Sequence, residues 1–357
     1  MRILLLAGEE SGVMYAGRIR EELLRAHPES EFRGYGDYGF KTADMAVMGI
    51  GQVLRKIFYF LRVKRTMERA IDEWRPDVVC TVDYPGMNLK LAAYAKSRGI
   101  RAVHVVCPQV WAWHHGRIPK IEASLDRLCC FLPFEPALFK PGFAEFVGHP
   151  LLDDFTAGGA AAGRDGKLLA ILPGSRIGEI DKHMPTLLKV VSILKSKLPE
   201  LQVVIPAAND RAFERISSFV CGTDGVVVKR GGARELLQVA DAAVVASGTA
   251  TLEAAIANCP TVLVYKVGWF FAMVARRVIK GVRHVGLANI IAEKAGAPCP
   301  MPECLQENFT PDNVIGHLEL WLTQEAANTA ARRSLADTVG MLKSDGSAIA
   351  KIAQNLV

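Results

Sequence analysis

Residues 168–180 read LLAILPGSRIGEI, and this stretch decides how the rest of the chain is interpreted. The apolar run at 168–172 predicts a short buried strand, Pro173-Gly174-Ser175-Arg176 predicts a turn, and a helical pattern follows from about residue 181. The N–H groups of such a turn and the positive end of the helix dipole favour an anion. The Arg176 guanidinium adds a fork of donors suited to phosphate. An ordinary turn with a solvated arginine would explain the tetrapeptide equally well.

A second turn of the same kind follows the apolar run at 242–246 and reads Ser247-Gly248-Thr249. Glu253 lies in the first turn of the helix after it, where a carboxylate could bind a pair of ribose hydroxyls or simply favour the helix dipole. Two anion-binding turns in one domain make a nucleotide diphosphate more credible than either turn alone. We therefore predict a sugar-nucleotide site at Gly174, Ser175, Arg176, Ser247, Gly248, Thr249 and Glu253.

Strand and helix patterns alternate along the whole chain, which predicts an α/β protein with doubly wound, mostly parallel sheets. The 357 residues are enough for two domains. The Gly/Ala-rich segment at 153–167 is the best linker candidate. We predict an N-terminal domain at 1–155, a C-terminal domain at 165–325, and a helix at 325–357 that can cross back to the first domain.

Composition limits the function classes. The net charge of +6 is compatible with a phosphorylated substrate, anionic lipid or nucleic acid, but no RNA-binding motif with interleaved aromatics is present, so we expect no nucleic-acid partner.

The eight cysteines form no C-x-x-C pair, and no D-x-D motif is present, so we predict reduced thiols, no metal and no cofactor. No apolar run is long enough to span a bilayer and no signal peptide is recognisable, which predicts a cytoplasmic protein.

Asp83 follows the strand predicted at 78–82. Ligands of open α/β sheets bind at the carboxyl ends of strands, where this carboxylate could accept a proton from a substrate hydroxyl. The alternative is an Asp that only caps a helix. The loop at 108–117 carries Trp111 and Trp113, which suit a site that stacks a sugar or, alternatively, pack between helices.

Two segments, 50–70 and 267–285, combine large apolar side chains with Lys and Arg. Such a pattern is typical of a helix that lies on a bilayer beside anionic head groups. A core helix with a basic outer face would give the same pattern.

These motifs together resemble those of the lipid-A-disaccharide synthase family, whose members are inverting glycosyltransferases of the GT-B architecture, with two Rossmann-like domains facing across a cleft. The resemblance runs from residue 7 to about residue 306, in family order. The residues that carry it are Ala7-Gly8-Glu9, Ser11-Gly12, Ala46-Val47-Met48-Gly49, Pro76-Asp77-Val78, Asp83, Pro85, Asn88-Leu89, Val110-Trp111-Ala112-Trp113, Phe131-Leu132-Pro133-Phe134-Glu135, Val147-Gly148-His149-Pro150, Leu172-Pro173-Gly174-Ser175-Arg176, Ala246-Ser247-Gly248-Thr249-Ala250, Leu252-Glu253 and Asn289.

The resemblance implies that UDP-2,3-diacylglucosamine and 2,3-diacylglucosamine 1-phosphate are joined to a β(1→6) disaccharide at the inner face of the cytoplasmic membrane. It implies that Asp83 is the general base and that Arg176 contacts the UDP diphosphate. It adds Asn289 and Gln306 to the nucleotide side, and it leaves a homodimer open. On the acceptor side it points to Glu9, Ser11, Asn88, Trp111, Trp113 and His149.

The chain departs from the family pattern at Val13, Gly86, His114 and Glu293-Lys294. The donor side is therefore matched better than the acceptor side. Three other functions stay open at this point: a related enzyme with another acceptor, a UDP-GlcNAc epimerase, and an inactive sugar-nucleotide-binding homologue.

Overall fold

The computed structural model describes residues 1–45, 57–113, 115–155, 166–268 and 281–357. They divide into two compact units, one made of Met1–Asp153 with Leu342–Val357 and the other of Asp154–Met341. Within the described residues, each unit contains one parallel sheet of six strands with helices around it. The predicted doubly wound α/β class is confirmed.

The first unit has the strand order β2-β1-β3-β4-β5-β6. Its central strands are continuous apolar runs because helices cover both faces of a parallel sheet. The strands are β1 Arg2–Ala7, β2 Glu31–Arg33, β3 Val78–Val82, β4 Arg101–Val105, β5 Arg127–Cys130 and β6 Ala144–Phe146. The helices before the crossing to the second unit are α1 Glu10–Ala26, α2 Thr42–Met45, α3 Ile57–Trp74, α4 Pro85–Ser97 and α5 Ile118–Ser124.

The second unit has the strand order β12-β11-β10-β7-β8-β9. Its strands are β7 Leu168–Leu172, β8 Gln202–Ala207, β9 Val226–Arg230, β10 Ala242–Ala246, β11 Thr261–Tyr265 and β12 Glu303–Leu305. Its helices are α6 Ile177–Lys197, α7 Asp210–Val220, α8 Ala233–Val239, α9 Thr249–Ile256, α10 Leu287–Lys294, α11 Pro311–Thr323 and α12 Glu325–Gly340.

The C-terminal segment differs from the single helix predicted at 325–357. It contains α12 in the second unit and a separate helix, α13 Ala348–Leu356, in the first. The two helices are separated by a break in which Gly346 has a φ of +88°, a left-handed backbone that a helix does not use. Helix α13 packs against α1 through Ile349, Ile352 and Leu356 in the core of the first unit.

Two short strands have no recognisable strand pattern in the sequence. The segment 298–306 contains three prolines, which favour a loop, yet Glu303–Leu305 pairs with Leu263–Tyr265. Likewise, Ala144–Phe146 pairs with Leu128–Cys130. Three-residue strands carry too few positions for a periodicity, so their pairing partners decide them.

Several predictions concern residues outside the described ranges: the motif at residues 46–49, the first part of the 50–70 helix, most of the 267–285 segment, most of the linker, and His114. None of the described helices combines the length and apolar character needed to cross a membrane.

Candidate functional site

In the second unit, β7 and β10 are neighbours, but the chain leaves them towards opposite edges of the sheet. The loops after two such strands diverge and leave a crevice at the carboxyl edge, which is where open α/β sheets bind ligands. A cavity of about 350 Å³ lies there. All seven residues predicted from the two turns for a sugar-nucleotide site line it: Gly174, Ser175, Arg176, Ser247, Gly248, Thr249 and Glu253.

The backbone of the first turn requires glycine. Gly174 has a φ of +117°, and a Cβ atom there would lie 2.7 Å from Oε2 of Glu179. Helix α6 begins two residues after Ser175, and α9 begins at Thr249. Two helix N-termini therefore open at the cavity, where their unpaired N–H groups and dipoles favour a negatively charged ligand.

Two ion pairs hold the charged residues of the cavity. Arg176 Nη1 lies 2.8 Å from Glu179 Oε1, and Arg234 Nε lies 2.8 Å from Glu253 Oε1. Sequence reasoning missed both partners. The i,i+3 spacing on a helix could have revealed Glu179, whereas nothing local to Arg234 connects it with Glu253, which is 19 residues away.

His183 is a third residue that the sequence analysis missed. It is buried, with Nδ1 2.7 Å from the carbonyl oxygen of Pro173 and Nε2 3.0 Å from the N–H of Lys266. These contacts assign the proton to Nδ1, so His183 donates to one loop and accepts from the other. Burial lowers its pKa, which favours this neutral form. The side chain therefore ties the turn after β7 to the segment after β11.

The other two nucleotide-side predictions are not among the cavity-lining residues. Asn289 has no exposed surface: its amide nitrogen donates to the Met301 carbonyl and to Glu303, and its oxygen accepts from the Met301 N–H. Through Glu303 it fastens α10 to β12. Gln306 follows β12 with a φ of +52°, and its Oε1 accepts from the Val267 N–H at 3.4 Å.

The first unit has a matching crevice, because β1 and β3 are neighbours whose connections also leave in opposite directions. The turn after β1 contains Gly8 and Glu9, and the turn after β3 contains Asp83 and Tyr84. A Cβ on Gly8 would lie 2.6 Å from the Tyr84 ring, so only glycine allows the two turns to approach this closely. Tertiary structure thus brings together Glu9 and Asp83, which are 74 positions apart in sequence.

Asp83 is held in a left-handed backbone conformation with a φ of +51°. Its N–H donates to the Val105 carbonyl, and its Oδ1 accepts from the Tyr84 N–H at 2.8 Å. Burial raises the pKa of Asp83, and this hydrogen bond opposes the rise. Burial and the negative charge of Asp83 also raise the pKa of Glu9. A carboxylate with a raised pKa is a stronger base, which suits proton abstraction.

Three residues predicted for the acceptor side, Asn88, Trp111 and His149, are buried in this structure. Trp111 donates from Nε1 to Glu135 at 3.0 Å and packs edge-to-face on Phe134. Burial raises the pKa of Glu135 to about 8. Imidazole Nδ1 of His149 accepts from the Leu151 N–H.

Of the remaining acceptor-side predictions, Glu9, Ser11 and Trp113 are exposed. Glu9 occupies the N-cap position of α1, and Ser11 lies in the first turn of that helix. These positions are open to a ligand.

Comparison with known proteins adds independent information. The sequence profile of a family described as "Lipid-A-disaccharide synthetase" matches residues 3–348. A protein of Syntrophus aciditrophicus named "Lipid-A-disaccharide synthase" is 34% identical over 354 residues, which cover 93% of this chain and 91% of that protein.

Solved structures share the fold at low sequence identity. The S. aureus MnaA–UDP co-structure has a TM-score of 0.64 at 13% identity, covering 100% of this chain and 97% of that one. The spinosyn rhamnosyltransferase SpnG, complexed with thymidine diphosphate, has a TM-score of 0.59 at 13% identity and covers both chains fully. At this identity the likeness shows the fold alone, which is the GT-B architecture.

Proposed function

The chain belongs to the lipid-A-disaccharide synthase family of glycosyltransferases, and from this membership we propose the following reaction. The enzyme transfers 2,3-diacylglucosamine from UDP to the 6-hydroxyl of 2,3-diacylglucosamine 1-phosphate, giving a β(1→6) disaccharide and UDP. The observation that carries the proposal is the cavity between the turns after β7 and β10. It is lined by Arg176 and opens at two helix N-termini.

The donor binds in this cavity through its diphosphate. A diphosphate competes with Glu179 for Arg176, whose side chain is 59% exposed and can turn towards the ligand. When the bond from the anomeric carbon to the diphosphate breaks, negative charge grows on the leaving oxygen. Arg176 and the N–H groups of the turns at Ser175 and Thr249 stabilise that charge in the transition state.

Asp83 acts as the general base. The carboxylate takes the proton of the acceptor 6-hydroxyl while the oxygen attacks the anomeric carbon from the face opposite to UDP, and one such displacement inverts the configuration. Two features of the turn support this role. The Tyr84 N–H fixes Oδ1, and the raised pKa strengthens the carboxylate as a base. Glu9 adds a second negative charge at the same crevice.

The enzyme meets its acylated substrates at a bilayer surface through the described part of the 50–70 segment. Helix α3 exposes Ile57, Phe58 and Leu61, while Arg62 and Arg65 are exposed on the same helix. Apolar side chains beside exposed cations fit the interface of an anionic membrane.

The test of the reaction is UDP release from UDP-2,3-diacylglucosamine in detergent micelles containing EDTA, with and without 2,3-diacylglucosamine 1-phosphate. We expect release that requires the acceptor and survives EDTA. Asp83→Asn should lower kcat by roughly 10²–10⁴-fold, the usual contribution of a general base. Asp72→Asn, at an exposed carboxylate that pairs with Arg98 on the surface, is the matched control and should keep the wild-type rate.

Other outcomes would overturn specific parts of the proposal. UDP release without acceptor would indicate a hydrolase or an epimerase-like enzyme. An Asp83→Asn variant with the wild-type rate would remove Asp83 from the role of base. UDP binding without any turnover would indicate another acceptor or an inactive homologue.

A further inference from the structure

The second unit has another cavity, of about 560 Å³, whose lining shares no residue with the cavity at the turns after β7 and β10. Its walls include Cys299, His284 and Glu303 together with the apolar side chains of Met301, Leu305 and Trp321. The reaction proposed above assigns no role to the first three of these groups.

A thiol, an imidazole and a carboxylate are arranged in sequence along one wall of this cavity. Cys299 Sγ lies 3.2 Å from His284 Nε2, and His284 Nδ1 lies 3.6 Å from Glu303 Oε1. This is the order of a nucleophile, a base and a group that orients the base. A proton on the His284 nitrogen facing Glu303 leaves the other nitrogen with a lone pair directed at the thiol.

The carboxylate has a fixed position because several donors hold it. Glu303 Oε1 accepts from the Gly286 N–H at 3.0 Å and from the Asn289 amide at 2.8 Å, and Oε2 accepts from the Val285 N–H at 3.1 Å. The loop is thus fastened to β12 directly after His284, at Val285 and Gly286.

The charges around Cys299 keep its thiol protonated, so its reactivity depends on a base such as the His284 imidazole. Partial desolvation and the charges of Glu293 and Glu303 raise the pKa of the exposed Cys299 thiol. The thiol therefore keeps its proton at neutral pH, and a thiol is a far weaker nucleophile than a thiolate. A base that removes the proton during attack overcomes this barrier, and His284 is in hydrogen-bond range to do so.

We propose that Cys299 is a covalent modification site, an imidazole-assisted thiol that reacts with low-molecular-weight disulfides. His284 Nε2 takes the thiol proton as the Cys299 sulfur attacks one sulfur of the disulfide. The disulfide bond breaks, a new S–S bond forms at Cys299, and the released thiolate takes the proton from His284. Glu303 is a positioning residue that sets the orientation of the imidazole.

The chain contains its own control. Cys221 and Cys299 are the two exposed cysteines, and the other six are buried. Cys221 directly follows α7, and in the described structure no imidazole contacts it. The two thiols therefore differ in the feature that the proposal requires.

The experiment treats the full chain with glutathione disulfide at pH 7.5, stops the reaction in acid at intervals, and quantifies the modified Cys299 and Cys221 peptides by mass spectrometry. We expect Cys299 to react roughly tenfold faster than Cys221 or more, since general-base assistance typically contributes at least that much. His284→Asn should bring Cys299 down to the rate of Cys221 or below it, because the raised thiol pKa is then no longer offset by a base, and Glu303→Gln should give a rate between those of the wild type and His284→Asn.

Buried Cys304 reports whether each variant is folded, because it lies on β12 beside the site and stays unmodified in an intact sheet. Equal rates for Cys299 and Cys221 in the wild type would overturn the proposal. So would an unchanged Cys299 rate in a His284→Asn variant that keeps Cys304 protected.

Discussion

Three carbonyl oxygens surround the side chain of Asn88, a residue that the sequence suggested as a contact for the acceptor. Its amide nitrogen lies 3.2 Å from the Leu6 carbonyl, 3.1 Å from that of Val82 and 2.7 Å from that of Asp83. The Tyr35 hydroxyl donates to its oxygen. Asn88 therefore holds the ends of β1 and β3 and the turn that carries the proposed base. At the residue scale, an amide in a motif can act on the site without touching a ligand.

The buried side chain of His104 makes the free energy of unfolding depend on pH. His104 has no exposed surface, its Nδ1 lies 2.7 Å from the Thr81 hydroxyl, and its Nε2 has no hydrogen-bond partner among the described residues. Burial lowers its pKa from the ordinary 6.5 to about 3. Between these two values the unfolded chain binds a proton that the folded chain does not. The stability that neutral His104 contributes is therefore lost as the pH falls from 6.5 towards 3.

We predict that His104→Leu removes this part of the pH dependence. Between pH 7 and pH 5.5 the free energy of unfolding of the wild type should fall by about 1 kcal/mol more than that of the variant. Urea unfolding at the two pH values measures the difference, with His27→Gln as a control that removes an exposed imidazole. Equal pH dependence in the wild type and His104→Leu would contradict the assignment.

At the scale of elements, helix α3 shows two distinct faces. Val63, Met67 and Ile71 are fully buried against the first sheet. This face of the helix is therefore part of the core, as one of the two interpretations of the 50–70 segment expected. The opposite side carries Phe58 with 82% of its surface exposed. One face of α3 therefore packs in the core, while the other face leaves apolar side chains exposed for the proposed bilayer contact.

We predict that Phe58→Ser weakens binding to vesicles that contain anionic lipid by about tenfold, since burying a phenylalanine side chain contributes roughly 1.5–3 kcal/mol. Co-sedimentation at low salt measures the partition coefficient. Val227→Ser, at an exposed apolar position on β9 in the second unit, is the matched control. If both variants bind vesicles as the wild type does, the bilayer contact lies elsewhere.

At the scale of the whole molecule, the first unit is completed by the last residues of the chain. Helix α13 contributes Ile352, which has no exposed surface and packs in the same cluster as Ile19 and Leu23 of α1. The core of Met1–Asp153 therefore closes only when a segment that begins almost 190 residues later has joined it. Long-range contacts of this kind cost loop-closure entropy on folding.

We predict that Ile352→Ala lowers the free energy of unfolding of the first unit by about 2–4 kcal/mol, because it leaves a cavity in a close-packed core. Hydrogen exchange should accelerate in peptides from α1 more than in peptides from α11 of the second unit. Gln354→Ala, at an exposed position on the same helix, should leave exchange unchanged. Equal acceleration in both units would show that α13 does not belong to the first core alone.

The sequence by itself determined the class of the fold, most of the long elements and the turns of the nucleotide-side cavity. Strands such as β3 and β10 are fully buried apolar runs, so their pattern is local and visible. The turns at Gly174 and Gly248 can also be recognised locally. Glycine and serine between a strand and a helix predict a helix N-terminus that favours an anion, whatever the direction of the helix. The family motifs added the order of the segments.

Tertiary structure decided which of the motif residues lie together at a crevice and which are buried against other protein groups. Nothing local to the sequence places Glu9 beside Asp83, Arg234 on Glu253, or His183 between two loops, since these pairings depend on strand order and helix crossing. Asn88, Trp111, His149 and Asn289, which the family resemblance assigns to the acceptor and nucleotide sides, are buried and hydrogen-bonded to protein groups. A polar or aromatic residue in a motif looks the same in sequence whether its partner is a ligand or a buried backbone group, because hydrogen bonding satisfies it in either case.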